Sequence, residues 1–238
     1  MGRVLWMQKK VAIVQSNYIP WKGYFDLIRS VDEFILYDDA QYTARDWRNR
    51  NKIKTAQGVQ WLTIPVEVKG KRCQSIRETK ISDSKWGAKH WRAIEHAYAK
   101  APFFKMFRGR FEALYLKNDR HLLSEINFMF LKEICQILSI KTKIRFSSDY
   151  RVDAKAEKTQ KLADLCRQAA ATHYISGPTA KDYLEIGPFN KENIEVSFFD
   201  YSGYPEYAQL FGPFVHEVSV LDLIFNTGEQ ALCHLTKN

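Results

Sequence analysis

The first apolar run, "VAIVQS", is short and gives way to polar residues, which predicts a buried strand over Val11–Ser16. A helix is expected next, from about Trp21 to Val31, with Pro20 suited to its entry. Phe34–Tyr37 is a second apolar run, closed by Asp38 and Asp39. Strand, short helix, strand is the pattern of a βαβ unit, because parallel strands need a crossover between them. Residues that follow the strands of such a unit lie along one edge, so Gln15 and Asp38 are expected to face a common crevice.

The pattern then changes. "NKIKT", the turn "AQG" and "VQWLTIPV" predict a β-hairpin, with a further strand near Ser75–Ser82. From Ser84 to Ile140, apolar residues recur every three or four positions, as in "WGAKHWRAIEHAYA" and "LLSEINFMFLKEICQIL". That spacing predicts two or three amphipathic helices with Trp86, Trp91, Phe103, Phe104, Phe107 and Phe111 in a core. The α/β rhythm resumes with "KIRFSS" as a strand, Glu157–Ala170 as a helix and "THYISG" as a strand. "PTAKDYL" is expected to start a helix with Pro178 in its first turn, and "IEVSFFDY" to form another strand. "HEVSVLDLIFNTG" opens the last helical segment, ended by Gly228. No repeat, low-complexity stretch or linker interrupts the chain. The expected fold is one α/β domain over 1–238, a mostly parallel Rossmann-like sheet flanked by helices. A basic β-hairpin (41–82) and a helical segment (84–140) are read as insertions in it.

Composition narrows the setting. With 45% hydrophobic and 26% charged residues, the 238-residue chain has the balance of a globular protein with a sizeable core. No apolar run reaches the ~18–20 residues that span a bilayer. The start, "MGRVLWMQKK", has too short an apolar stretch for a signal peptide, and Trp6 stands where a myristoylation motif needs Ser or Thr. Cytoplasm is therefore the expected location, and the first eight residues read as a start-site extension or a frayed tail. Cys73, Cys135, Cys166 and Cys233 form no CxxC pair and are expected as buried, reduced thiols, and no metal site is legible. Net charge is +9, and residues 1–80 hold 15 Lys/Arg against 8 Asp/Glu. That imbalance suits an anionic partner, such as a nucleotide, a phosphorylated sugar or RNA, or else a solvated basic surface.

Candidate chemistry gathers at the turns. After the first strand come Gln15 and Asn17, then Trp21, Gly23 and Tyr24. A glycine in the first turn of a helix permits close approach of a ligand, and the free N–H groups there favour anions. Tyr24 is expected in the same crevice, with Trp21 or Tyr18 as a face for a base or sugar. Asp38 and Asp39 are adjacent on an extended backbone and so point to opposite faces. One of them serves the crevice, to bind a ribose hydroxyl, hold Mg²⁺ or take a proton from an amine, while the other pairs with an arginine. In "RDWRNRNKIK", Arg45, Arg48, Arg50, Lys52 and Lys54 surround Trp47 and Asn49. Guanidinium forks suit phosphate or carboxylate, and an indole offers a stacking face. In an extended strand Arg50, Lys52 and Lys54 take one face, and Asn49, Asn51 and Ile53 the other. Gln41 and Tyr42, just upstream, complete this binding set. Ser176 and Gly177 end a strand at a helix start and form a second anion cradle, with Lys181 and Tyr183 in reach. Ser219, Asp222 and Asn226 recur at helical spacing and read as a network holding the last helix to the sheet, with His216 nearby lacking a visible partner. GxSxG, Walker A, GxGxxG and HExxH motifs are all absent.

From "VAIVQSNYIPWKGYFDLI" through "YDDAQYTARDWRNRNKIK", "WLTIPV", "LADLC", "YISGPTAKDYL" and "YPEY" to "HEVSVLDLIFNTG", the chain resembles the WbqC-like family over nearly its whole length. Members occur in bacterial O-antigen and polysaccharide gene clusters and have been proposed to add glycine to amino sugars. The resemblance implies a transferase that adds an aminoacyl or acyl group, glycyl among them, to the amine of a nucleotide-linked amino sugar. Asp38, Asp39, Tyr24 and Lys181 are then the catalytic candidates. The donor is an adenylate made from ATP, with or without Mg²⁺, or an aminoacyl-tRNA. The fold is also similar to HIGH-type nucleotidyltransferases and pantothenate synthetases, whose HxGH turn falls on Trp21-Lys22-Gly23-Tyr24. Only the glycine is shared, and the missing histidines argue against their usual ATP chemistry. Two other readings stand beside this one: a non-catalytic RNA- or polysaccharide-assembly module, and nucleotidyl transfer to a sugar phosphate. The oligomeric state is not legible.

Overall fold

The computed structural model describes residues 8–153 and 155–235, so the predicted N-terminal extension lies outside the described residues apart from its last residue. Backbone proximity divides the chain into two compact units. The first comprises residues 1–15, 27–37 and 141–201, and the second 16–26, 38–140 and 202–238. No helix among the described residues is long and apolar enough to cross a membrane.

The first unit is built on strands β1 (Lys10–Val14), β2 (Glu33–Leu36), β5 (Lys143–Phe146), β6 (His173–Ser176) and β7 (Glu195–Phe198). They form a five-stranded, wholly parallel sheet in the order β5-β2-β1-β6-β7. Growth outward in both directions from β1 is the Rossmann-like arrangement, and its switch point lies between β1 and β6. The central strands are short apolar runs because a parallel sheet is covered on both faces. Val11, Ile13, Ile35 and Tyr174 pack with Ala163, Leu165 and Cys166 of α5 (Lys158–Gln168) and Phe189 of α6 (Gly187–Lys191). The Tyr174 and Phe189 rings stack 5.1 Å apart. The expected helix at "PTAKDYL" is instead a 3₁₀ turn, Pro178–Asp182, in which the proline sets the first turn but no further α-turn follows.

The second unit holds the hairpin β3 (Arg50–Thr55) and β4 (Gly58–Thr63), and helices α2 (Trp86–Tyr98), α3 (Phe104–Leu116), α4 (Leu123–Ile137) and α7 (Val220–Thr227). Helix α1 (Lys22–Arg29) begins in this unit and ends in the first. Aromatic rings make the core: Tyr18, Trp86, Trp91, Phe104, Phe111, Tyr115, Phe130 and Phe225 are all buried. Helices α2 and α3 approach so closely at Gly87 that a Cβ there would lie 2.2 Å from the Tyr115 carbonyl oxygen. The predicted strand at 75–82 does not form. Its residues turn and make only isolated bridges, Ser75 with Gln41, Ile81 with Val66 and Lys80 with Leu122. Two cysteines also depart from expectation: Cys135 and Cys166 are buried, burial raising the Cys135 thiol to about 12, whereas Cys73 and Cys233 are exposed.

Candidate functional site

The turn from Ser16 to Trp21 is held in an unusual shape. Ile19, β-branched and fully buried, sits at φ 36°, a conformation that such residues rarely adopt and that stores on the order of 1–3 kcal/mol. The Asn51 side-chain amide holds it there, donating to the carbonyls of Tyr18 (3.1 Å) and Ile19 (2.9 Å). The Tyr18 amide is tied to the Trp47 carbonyl (3.0 Å) and the Val220 amide to the Pro20 carbonyl (3.0 Å). Three remote stretches are thus fastened around one spot by backbone bonds.

Between them lies a cavity of about 280 Å³, lined by Asn17, Pro20, Trp21, Trp47, Asn51 and Glu217. Glu217 is its carboxylate and pairs with Lys52 at 3.3 Å. Arg48 donates to the Asn17 side-chain carbonyl, so the Asn17 amide is oriented. Two indole walls, a carboxylate, two carboxamides and flanking cations make a pocket that suits a polar, flat-faced ligand of sugar or nucleotide type.

Glu217 arrives on an extended strap, residues 202–217, that has no regular secondary structure and is anchored by polar groups. Tyr204 donates to Asp26 (2.7 Å), Tyr207 to Asp222 (2.8 Å), and Lys54 to the Gln209 side chain (2.8 Å) and the Pro213 carbonyl (2.6 Å). Lys22 donates to the Pro205 carbonyl (2.8 Å) among the rings of Tyr204, Tyr207 and Phe214, each within 5.6 Å. Burial lowers its ammonium to about 8, against the pull of Glu206 and Asp222. Asp222 itself is fully buried, and burial raises its carboxyl although Tyr207 and Tyr98 donate to it. The Ser219–Asp222–Asn226 network therefore joins α7 to α2 and the strap. His216 has a partner, Glu206 at 3.9 Å.

Asp38 and Asp39 do point apart. Asp39 pairs with Arg77 at 3.3 Å. Asp38 is buried, and its oxygens accept the Ser16 amide (2.8 Å) and the Ser124 hydroxyl. Asn127 closes the network, donating to the Ser16 hydroxyl (3.0 Å) and the Arg48 carbonyl (2.9 Å). Burial raises the Asp38 carboxyl above its ordinary value; the Ser124 and Ser16 bonds and Arg48 oppose that shift. Neither aspartate lines the cavity, and Asp38 anchors the turn that carries Asn17.

Several expected residues meet here and others do not. Asn17, Trp21, Trp47 and Arg48 come together around the cavity. Gly23 leaves no room for a ligand, because a Cβ there would fall 2.4 Å from the Trp21 indole that occupies the space. Tyr18 is no stacking face: it is buried, and its hydroxyl bonds His90 (2.9 Å) and Tyr115 (2.8 Å). Tyr24 is buried beside Phe25. Asn49 is buried and donates to the Ile64 carbonyl (2.8 Å), and Tyr42 is buried, its amide bonded to Gln74 (2.9 Å). Gln41 is exposed and donates to the Arg72 carbonyl (2.7 Å). Arg45 is exposed at φ 61° with its carbonyl accepting from Arg50, which lies over the Trp61 ring at 4.2 Å. Lys54, expected on the cationic face, is buried by the strap. Gln15, Ser176, Gly177 and Lys181 belong to the first unit. There Ser176 is buried, accepting from Tyr174 (3.2 Å), Gly177 has open space, and Lys181 is exposed over the Phe198 ring at 5.6 Å.

Sequence reasoning missed Asn51 and Glu217 as cavity residues, and Trp61, which lies outside the cavity against its wall Trp47. Alternation along the hairpin carried a signal for Trp61, which stands opposite Lys52 in the register. Glu217, in a segment without periodicity, had none.

The comparisons with known proteins fit this chain as a whole. A family model described as "WbqC-like protein family" matches residues 15–234. An uncharacterised protein of Mycobacterium tuberculosis is 53% identical over 223 residues, covering 94% of this chain and 96% of the relative. No solved structure matches. The chain belongs to the WbqC-like protein family.

Proposed function

We propose that the protein is an aminoacyl transferase that forms an amide on the amine of a nucleotide-linked amino sugar, with the cavity between Trp21 and Trp47 as its site. The observation that carries this reading is the lining: two indoles, two carboxamides and one carboxylate in a pocket flanked by cations. Indole faces suit sugar rings and bases, and the Arg48 guanidinium suits the diphosphate.

Amide formation needs an unprotonated amine, an activated acyl carbon and stabilisation of the tetrahedral oxyanion. The amine nitrogen attacks the acyl carbon, and the oxyanion that forms is met by the Asn17 amide and the Lys52 ammonium. Collapse breaks the bond to the carrier oxygen, and the amine proton passes to Glu217 and on to the departing carrier. Asp38 acts through the turn and is a positioning residue in this scheme. Membership of a family tied to polysaccharide gene clusters supports the sugar as acceptor.

Calorimetric titration of a nucleoside-diphosphate amino sugar tests the site. Saturable binding to the wild type, lost in Trp21→Ala, is expected. Equal binding by both proteins, or none across dTDP- and UDP-linked amino sugars, contradicts the reading.

A further inference from the structure

The outer face of the hairpin carries more indole and more cation than the cavity uses. In the β3–β4 register Lys52 stands opposite Trp61 and Lys54 opposite Val59, so Arg50, Lys52, Val59 and Trp61 share one face. Trp47 and Trp61 are 39% and 41% exposed, their rings 5.4 Å apart and tilted by 33°. Arg50 lies 4.2 Å over Trp61, and Lys52 lies 5.5 Å over Trp47 and 5.3 Å over Trp61. These contacts fix the two rings while leaving indole surface open to solvent. Residues 41–82 hold ten Lys/Arg against three Asp/Glu, a net +7 within a chain of +9.

Charged side chains alone would protect a hairpin edge from pairing. Two adjacent exposed tryptophans do the opposite, since they present apolar surface to water. The combination matches a ligand in which flat π faces alternate with negative charges. An unpaired nucleic-acid strand has that chemistry, whereas a duplex hides its bases and an acidic peptide lacks the repeating faces.

We propose that this face binds an unpaired RNA strand, its bases stacked on Trp47 and Trp61 and its phosphates on Arg50 and Lys52. Trp47 is also a wall of the cavity, so a strand stacked there ends at the site. Resting on the transferase reading, the proposal further makes this RNA the acyl carrier. The sugar amine attacks the ester carbon, the bond to the terminal ribose oxygen breaks, and that oxygen takes the proton the amine gives up. The products are the amide and an RNA with a free hydroxyl, with no other reactant needed.

The test is fluorescence anisotropy of a labelled single-stranded oligoribonucleotide ending in CCA, beside a blunt duplex of equal length and heparin as competitor. The single strand is expected to bind more tightly than the duplex. Trp61→Ala, outside the cavity, should weaken it about tenfold at an unchanged thermal midpoint, and Lys52→Gln should lower the log–log salt slope by about 0.7. Equal duplex affinity, indifference to Trp61→Ala, or displacement by heparin with no tryptophan dependence each overturns the proposal. Transfer assays separate the two claims. Amide formed from an adenylate but not from acyl-RNA overturns the carrier role and leaves the transferase. Tryptophan-dependent RNA binding with no amide from any donor overturns the transferase and leaves the RNA surface.

Discussion

The Asp38 carboxylate accepts the Ser16 backbone N–H at 2.8 Å inside the protein, where both residues are at most 1% exposed. Its other oxygen takes the Ser124 hydroxyl. Asp38→Ala strands two buried donors and is expected to cost about 2–6 kcal/mol, at roughly 1–3 for each unsatisfied group. Asparagine can accept from Ser16 and donate to Ser124, so Asp38→Asn should stay within about 1 kcal/mol of wild type at neutral pH. The folded carboxyl titrates above its ordinary value, so its contribution is fully present below that value and is lost as pH rises through the raised one. Asp38→Asn should remove this slope. Urea unfolding of the three proteins across pH checks all of it.

His90 bonds the Thr63 carbonyl through Nε2 (3.1 Å) and Tyr18 through Nδ1 (2.9 Å). A carbonyl only accepts, so the proton is on Nε2, Tyr18 donates to Nδ1, and Tyr115 donates to Tyr18. Burial lowers the imidazole to about 4, although the Thr63 bond opposes this. The folded value is depressed, so stability is complete above the ordinary histidine range and falls as pH drops through the folded value. The loss should approach about 3 kcal/mol once pH has passed below the folded value. His90→Gln should lack this acid limb when thermal midpoints are followed against pH.

Asn51 holds Ile19 at positive φ through both carbonyls. Asn51→Ala is expected to destabilise by about 2–4 kcal/mol as two buried carbonyls lose their donor. It should also abolish ligand binding at the cavity, because the turn relaxes away from Trp47. Hydrogen exchange localised to residues 16–21 would register the relaxation.

Gly23 makes room for the Trp21 indole. Gly23→Ala favours the helix by about 1 kcal/mol through propensity, yet its methyl must displace the ring. Weaker binding of the nucleotide sugar with a shifted tryptophan emission, at nearly wild-type stability, is the expected result by titration and fluorescence.

Strands β1 and β2 were legible because each is a short apolar run that the fold buries, as "VAIV" and "FIL" show. The hairpin was legible through alternation and its turn. Residues 75–82 carried similar composition but hydrogen-bond as turns, a tertiary outcome no local pattern reveals. At the site, the turn "SNYIPW" and the cluster around Trp47 stood out through unusual residue types. Their inner geometry did not: Tyr18 and Gly23 serve packing, and Asp38 faces inward to Ser16 of the loop before α1 and Ser124 of α4. Glu217 lies 165 residues from its partner Lys52, on a strap whose course depends on Lys22, Lys54 and Asp222. Such a contact is written in no window of sequence.

Amide formation at the Trp21–Trp47 cavity would be read from the mass of the sugar product. Purified protein would be incubated with a nucleoside-diphosphate 4-amino sugar and a glycyl donor, as adenylate or as glycyl-tRNA, followed by mass spectrometry. A nucleotide sugar heavier by one glycyl residue is expected from wild type and is lost in Glu217→Gln, while that variant still binds the sugar. An unchanged sugar mass with both donors across dTDP- and UDP-linked acceptors, or equal product from Glu217→Gln, would contradict it.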